Sequence, residues 1–145
     1  MTREMSIKEA ARLSGVKVPT IRYYEEIGLL PAPARTASNR RLFGAKDLRR
    51  LAFIRHAREL GFEIEAIRTL LRLQDEPEQP CASADAIARE RLKDVEQRIR
   101  SLTALKQELE SMIESSSHGK VKSCRVIEVL ADHAECIHAD HHAGA

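Results

Sequence analysis

The strongest local signals for structure lie in residues 6–28, SIKEAARLSGVKVPTIRYYEEIG. Ser6 and Glu9 fit a capping box, in which the serine hydroxyl and the glutamate carboxylate satisfy free amides at a helix start. Gly15 is suited to end this helix, because glycine readily adopts the left-handed conformation found after many helices. Pro19 suits the first turn of a second helix, where its missing N–H costs nothing. Two short helices joined by a tight turn predict a helix-turn-helix.

A small hairpin is predicted after the second helix. Residues 30–38, LPAPARTAS, contain two prolines and are not helical, whereas residues 39–44, NRRLFG, are β-capable. They fit the return strand of a wing that presents Arg40 and Arg41. A helix-turn-helix with a basic wing reads the major groove of double-stranded DNA with its second helix while flanking cations hold phosphates. Tyr24 is predicted to pack inward. The predicted DNA contacts are Thr20, Arg22, Tyr23, Arg40 and Arg41.

Charge is distributed unevenly along the chain. Residues 1–74 carry 15 Lys and Arg against 8 Asp and Glu, a net charge of +7, whereas residues 75–145 carry a net charge of −5. A basic first half indicates contact with a polyanion, and nucleic acid is the partner that the helix-turn-helix favours. Glu25 and Glu26 on the second helix oppose this pattern, so we predict that both face away from DNA.

Composition disfavours several classes of protein. Aromatic residues make up 3% of the 145 and Trp is absent, which argues against a β-sandwich or barrel. No stretch approaches the roughly 18 apolar residues of a membrane span. The N-terminal segment lacks the apolar core of a signal peptide, so we expect a cytoplasmic protein without membrane contact. The chain has no phosphate-binding loop, triad pattern or paired carboxylates in an apolar setting, so we do not expect an enzyme.

The remainder of the chain is predicted to be mainly α-helical. Apolar side chains recur at helical spacing in residues 45–58 and 63–73, which complete a compact first unit. Residues 84–114 contain neither Gly nor Pro and have the same spacing. The predicted organisation is a winged helix-turn-helix DNA-binding domain at 1–74, a linker at 75–82, a dimerisation helix at 83–115, and a metal-binding loop, short helix and His-rich tail at 116–145.

The long helix carries a narrow apolar stripe that requires a partner. A single helix cannot remove such a stripe from water, and its width is typical of a coiled-coil seam. Self-pairing into a homodimer is favoured because most soluble oligomers are twofold symmetric, and packing against the first unit is the alternative. The stripe consists of Ala88, Leu92, Val95, Ile99, Leu102, Leu105, Leu109, Met112 and Ile113.

The cysteines allow two interpretations. No two of the three are spaced as C-x-x-C, which argues against a zinc ribbon, and taken singly Cys81 and Cys124 fit small buried hydrophobic residues. If two long helices pair antiparallel, however, Cys81 of one subunit comes near His118 and Cys124 of the other. Such a sulfur and nitrogen site suits Zn²⁺, Cd²⁺ or Pb²⁺ better than Mg²⁺ or Ca²⁺.

Three motifs resemble the MerR family of transcriptional regulators: IRYYE at 21–25, GLLP at 28–31 and NRRLF at 39–43, followed by the long helix. The resemblance implies a winged helix-turn-helix homodimer joined by an antiparallel coiled coil. Such a dimer sits on a promoter whose two polymerase-recognition elements are too widely spaced. Effector binding then bends and underwinds the DNA so that RNA polymerase can use both elements.

Within that family, LGF at 60–62 and Cys81 resemble the divalent heavy-metal sensors, whereas the copper(I) and gold sensors carry Ser at the matching position. His118 and Cys124 match the loop histidine and second loop cysteine of zinc sensors. The chain departs from the family at 115–117, where three serines stand in place of an expected cysteine. The resemblance implies Zn²⁺ as effector, with Cd²⁺, Pb²⁺ or Cu⁺ as alternatives. The resemblance implies Cys81, His118 and Cys124 as ligands. The candidates to replace the missing thiolate are His133 and Cys136, with His138, His141 and His142 as alternatives.

These patterns together predict a metal-responsive transcription activator that controls genes of heavy-metal efflux or resistance. A thiol or redox sensor on the same scaffold is the second interpretation. In that case Cys124 and Cys136 form a reversible disulfide instead of binding a metal.

Overall fold

A computed structural model describes residues 4–32, 34–116 and 118–132. Contacts divide the chain into two compact units, with the division after Ile87. The predicted mainly helical fold with a small wing is confirmed. Its elements are α1 (Ile7–Ser14), α2 (Val18–Glu26), β1 (Ala34–Arg35), β2 (Arg41–Leu42), α3 (Ala45–Glu59), α4 (Ile64–Asp75), α5 (Ala82–Glu114), a single 3-10 turn (Val121–Ser123) and α6 (Arg125–Ala131).

The turn between α1 and α2 follows from local sequence. Ser6 caps α1, its hydroxyl accepting a hydrogen bond from the Glu9 N–H at 3.3 Å. Gly15 ends the helix with φ of 74°, in the left-handed region that disfavours a side chain. The Arg55 guanidinium from α3 donates to the Ser14 carbonyl at 3.0 Å. A Cβ at residue 15 would overlap this guanidinium and displace it, so glycine preserves the Arg55 contact as well as the left-handed backbone conformation.

The wing is a two-stranded antiparallel hairpin, as predicted. Arg35 of β1 lies directly opposite Arg41 of β2. Asn39 has φ of 64° in the turn between the strands, a conformation that asparagine tolerates better than most residues. Phe43 follows β2, and its backbone exchanges two hydrogen bonds of 2.8 Å with Met5. Because the Phe43 side chain is buried, it anchors the wing in the core of the first unit.

One apolar core joins the wing to helices α1–α4. Helical spacing turns one face of each helix inward, as the sequence pattern predicted. Burying a large apolar side chain contributes roughly 1.5–3 kcal/mol, so this set is the main source of stability of the unit. The buried residues are Met5, Ala10, Val16, Ile21, Tyr24, Leu29, Leu30, Phe43, Leu51, Ile54, Ala57, Ile67 and Leu71.

Arg50 of α3 ties the loop after α2 to the end of α4. Its Nε donates to the Leu29 carbonyl at 2.7 Å, and its Nη1 lies 3.2 Å from the Asp75 carboxylate. Gly61 interrupts the helices between α3 and α4 with φ of 86°. The helix α4 includes Asp75 and α5 begins at Ala82, so the connection between them is slightly shorter than the sequence suggested.

The second unit has a small core and an uncovered apolar stripe. Met112 of α5 and Val129 of α6 are buried. Glu108, four residues before Met112 on α5, is buried as well. None of the described helices is both long and apolar enough to cross a lipid bilayer. Most of the predicted stripe remains exposed on α5, including Leu92, Ile99, Leu102, Leu109 and Ile113.

Candidate DNA interface and metal-binding loop

The helix α2 has a buried inner face and a polar outer face. Ile21 and Tyr24, three residues apart, are buried, which confirms the inward packing predicted for Tyr24. Arg22 and Tyr23 are exposed, and Thr20 is half-buried in the first turn of the helix. The helix thus offers a guanidinium and a phenol at its surface while its core contacts fix its orientation. These are the groups that bind base edges and phosphates in a major groove.

Further cations surround the N-terminus of α2. A cleft of about 390 Å³ there is lined by Lys17, Thr20 and Arg58, and by Glu59, whose carboxylate is paired with Arg55. Lys17 occupies the N-cap position without a capping hydrogen bond from its side chain. The free backbone N–H groups of a helix N-terminus attract anions, and lysine and arginine beside them add to this potential. The cleft is therefore suited to the phosphate backbone of a nucleic acid.

The wing is attached to α2 by charge. Glu25 Oε2 lies 3.0 Å from Arg41 Nε, and Glu25 Oε1 lies 3.7 Å from a terminal nitrogen of Arg35. Arg40 is exposed. The ion pairs between Glu25 and the wing could not be predicted from the sequence, because they join residues that are not close along the chain. Its position four residues after buried Ile21, at the edge of the inward face, was the available signal.

Cys81 lies immediately before α5 in the first unit and is exposed. Its Sγ is 3.8 Å from Asp85 Oδ1, and its carbonyl accepts a hydrogen bond from the Asp85 N–H at 3.0 Å. The side chain is therefore accessible to a metal ion or to another protein chain, rather than being a small hydrophobic residue of the core.

Cys124 is the N-cap residue of α6 in the second unit and is partly exposed. The backbone N–H of Ile127 lowers the pKa of the Cys124 thiol most strongly, because it donates a hydrogen bond to the sulfur. Donation from the Val126 N–H and the Ser116 hydroxyl acts in the same direction, whereas partial burial raises the pKa. This environment favours the thiolate, which is the form that ligates metals and reacts with oxidants.

Ser116 links the two candidate donors of the loop. Its hydroxyl helps to lower the pKa of Cys124, and it accepts a hydrogen bond from the His118 backbone N–H at 3.4 Å. His118 is exposed and has φ of 55°, a left-handed conformation unusual for a residue other than glycine. In the sequence, Ser116 is notable only as one of three serines that stand where the family has a cysteine. Its contacts in the folded loop could therefore not be predicted.

The described part of one chain does not assemble a metal centre by itself. Among residues 4–32, 34–116 and 118–132, no three His, Cys, Asp or Glu side chains gather closely enough to hold an ion. Cys81 belongs to the first unit, and His118 and Cys124 to the second. The predicted ligands His133 and Cys136 lie outside the described residues. The donor types nevertheless fit a soft or borderline cation, since the set consists of thiolates and imidazoles.

Comparison with known proteins identifies the family. Residues 5–74 match the family described as "MerR HTH family regulatory protein", and residues 48–112 match "MerR, DNA binding". The chain belongs to the MerR family. It is 39% identical over 128 residues to the HTH-type transcriptional regulator ZntR of Escherichia coli strain K12, an alignment that covers 86% of this chain and 90% of the relative.

Two further MerR relatives are named for metals. Heavy metal-dependent transcription regulator 1 of Rhizobium meliloti strain 1021 is 37% identical over 133 residues, which is 90% of both chains. The crystal structure of PbrR691 from Ralstonia metallidurans CH34 in complex with lead(II) has a TM-score of 0.74 and 35% identity. It covers 87% of this chain and 98% of that one. As a member of the MerR family, this chain is a DNA-binding regulator of transcription.

Proposed function

We propose that this MerR regulator is a metal-responsive activator of transcription whose effector is Zn²⁺. The observation that carries the proposal is the loop of the second unit, where the pKa of Cys124 is lowered and Ser116, which contributes to that lowering, also accepts a hydrogen bond from the His118 backbone N–H. The relatives named for heavy metals and for lead(II) support a metal as the effector. Control of an efflux or resistance gene follows from such an effector.

DNA recognition uses the first unit. Arg22 and Tyr23 of α2 enter the major groove, and Thr20 approaches a phosphate beside the N-terminus of that helix. Arg40 and Arg41 contact the backbone of the duplex from the wing. The regulated promoter is distorted by the effector-bound protein so that RNA polymerase can use it, which makes deformation of the DNA the regulated step.

The working unit is a homodimer formed through α5. The exposed stripe of leucines and isoleucines on this helix is uncovered in the single chain, and pairing with a second copy would remove it from water. In an antiparallel pair, the start of one α5 meets the end of its partner. Cys81 from one protomer is thereby brought to His118 and Cys124 from the other.

The metal-binding residues in this proposal are Cys81, His118 and Cys124, completed by His133 or Cys136. These side chains would hold zinc, which accepts both thiolate and imidazole ligands. The lowered pKa of Cys124 favours the ionised sulfur that coordination needs, and the Ser116 contacts help to hold the loop in shape. A mixed sulfur and nitrogen set favours zinc over lead, which is the physical reason for choosing zinc among the divalent metals.

Elemental analysis of the purified protein tests the ligand assignment. Wild-type protein saturated with zinc and then gel-filtered is expected to retain zinc, whereas Cys81→Ser, Cys124→Ser and His118→Asn lose it. His56→Asn is the matched control, because His56 is an exposed histidine of α3 outside the proposed ligand set. Full zinc retention by Cys81→Ser and Cys124→Ser would refute the assignment.

A thiol sensor is the second candidate, and the lowered pKa of Cys124 favours it as well. A thiolate at a partly exposed position is readily oxidised. In this case Cys124 and Cys136 form a disulfide under oxidant, which peptide mass spectrometry would detect. Protection of both thiols by stoichiometric zinc would favour the metal sensor.

A further inference from the structure

We propose that Glu25 is a positioning residue for DNA recognition, because its carboxylate holds the wing against the recognition helix. The residue lies on α2, and it binds Arg41 of β2 at 3.0 Å and Arg35 of β1 at 3.7 Å. One carboxylate therefore contacts both strands of the hairpin. The inference rests on the DNA-binding activity of the family and assigns a role within it to a residue that is not proposed to touch DNA.

The wing needs this carboxylate for an electrostatic reason. Arg35 and Arg41 are directly opposed across the hairpin, and like charges at such positions destabilise strand pairing. Each strand is only two residues long, and a hairpin this short is marginal without outside contacts. The Glu25 carboxylate contacts both guanidinium groups, and its attraction for each of them offsets their mutual repulsion.

Burial makes the contact stronger than a surface ion pair. The Glu25 side chain is 13% exposed, against 26% for Arg41 and 42% for Arg35. The Oε2 atom is fully buried and receives no hydrogen bond of good geometry among the described residues, so the nearby guanidinium of Arg41 is its electrostatic partner. Charges at partly buried positions are less screened by water and salt than exposed pairs are.

The ion pairs fix the wing relative to α2. Arg41 uses Nε toward Glu25, so the ion pair does not require its terminal nitrogens. The wing and the outer face of α2 must meet the same duplex at the same time. Fixing their separation before binding removes an ordering cost that the complex would otherwise bear. Glu25 thus favours the specific complex although its own charge repels DNA.

The neighbouring Glu26 provides a matched control. It is exposed and makes no ion pair within the described residues. It follows Arg22 by four positions and so lies on the outer face of α2, which is the face proposed to meet DNA and not the opposite one expected from the sequence. Removing the charge of Glu26 reduces repulsion of the duplex without breaking an ion pair among the described residues. Glu26→Gln is therefore expected to tighten binding to any DNA, as simple electrostatics requires.

The test compares two duplexes. The specific probe is a duplex selected by the wild-type protein from a random library, and the non-specific probe is a scrambled duplex of the same length and composition. We expect Glu25→Gln to weaken binding to the selected duplex about tenfold. Binding to the scrambled duplex should tighten, because the wing arginines are released to contact phosphates. The salt dependence of that affinity should steepen by the equivalent of about one additional phosphate contact. Tightening of both affinities by Glu25→Gln, as for Glu26→Gln, would overturn the proposal.

Two further measurements keep the result interpretable. A double-mutant cycle of Glu25→Gln with Arg41→Gln is expected to show coupling in the affinity for the selected duplex, and additive effects would contradict the proposal. Should Glu25→Gln lose helical circular dichroism, Glu25→Asp takes its place, with the same direction and a smaller loss. Failure of the wild-type protein to select any sequence would instead refute DNA reading by α2, which is a separate outcome.

Discussion

Replacing Gly15 with alanine should destabilise the first unit by about 2–4 kcal/mol, from two separate costs. A side chain at φ of 74° costs about 1–2 kcal/mol. The new Cβ also displaces Arg55, which donates to the Ser14 carbonyl at 3.0 Å. That charged hydrogen bond contributes roughly 1–2 kcal/mol after allowance for an arginine side chain that is half exposed. Domains are stable by only about 5–15 kcal/mol, so the loss is easily measured.

Two other glycines separate these costs. Gly28 has φ of 79°, and a Cβ there would meet Arg68 at an ordinary contact distance of 3.5 Å, so Gly28→Ala should show the backbone cost alone. Gly44 has negative φ and open space around it. Gly44→Ala should stay within about 0.5 kcal/mol of wild type, because the gain from a less flexible unfolded chain offsets the loss of glycine at an N-cap.

Urea denaturation at fixed protein concentration measures these differences. The chain has two tyrosines and no tryptophan, and both tyrosines are on α2, so tyrosine fluorescence reports the first unit alone. In an Arg55→Ala background, Gly15→Ala should cost only the backbone contribution, because the overlapping side chain is gone. Equal stability of the Gly15→Ala and Gly44→Ala proteins would refute this reasoning.

Three further outcomes are expected. Alkylation of Cys124, followed by peptide mass spectrometry, should reach half its limiting rate below the pH typical of a free thiol, and Ser116→Ala should raise that pH; a midpoint at the ordinary thiol value would contradict the lowered pKa. Leu102→Glu should shift the protein from dimer to monomer in sedimentation equilibrium, whereas Gln97→Glu on the opposite face of α5 should not; an intact Leu102→Glu dimer would exclude the stripe as the interface. Arg40→Ala should weaken binding to the selected and scrambled duplexes alike, and the dependence of log affinity on log salt concentration should become shallower by about one. An unchanged salt dependence would show that Arg40 does not contact the DNA backbone.

The helices of the first unit could be predicted because their limits depend on nearby residues. Ser6 and Gly15 bound α1 through contacts three or four positions away, and Pro19 marks the start of α2. The spacing of apolar residues also identified the inner face, including Tyr24. These signals are local in the chain and do not depend on how the rest of it folds.

Contacts between distant segments could not be predicted in the same way. No local pattern indicates that Glu25 binds two wing arginines, since the pairing depends on where the hairpin lies. Likewise, the sequence indicates only that serines at 115–117 stand in place of an expected cysteine. The contacts of Ser116 with His118 and Cys124 depend on the folded loop. The type of each candidate metal donor was predictable, but their assembly depends on a second chain.

A complementation experiment tests the shared metal site most directly. Differently tagged Cys81→Ser and Cys124→Ser chains are co-expressed, and the mixed dimer is isolated and its zinc content measured. If each site takes Cys81 from one protomer and Cys124 from the other, the mixed dimer retains one intact site and binds one zinc ion, although neither variant alone binds any. A mixed dimer without zinc, while the wild-type dimer binds it, would contradict a site shared between protomers.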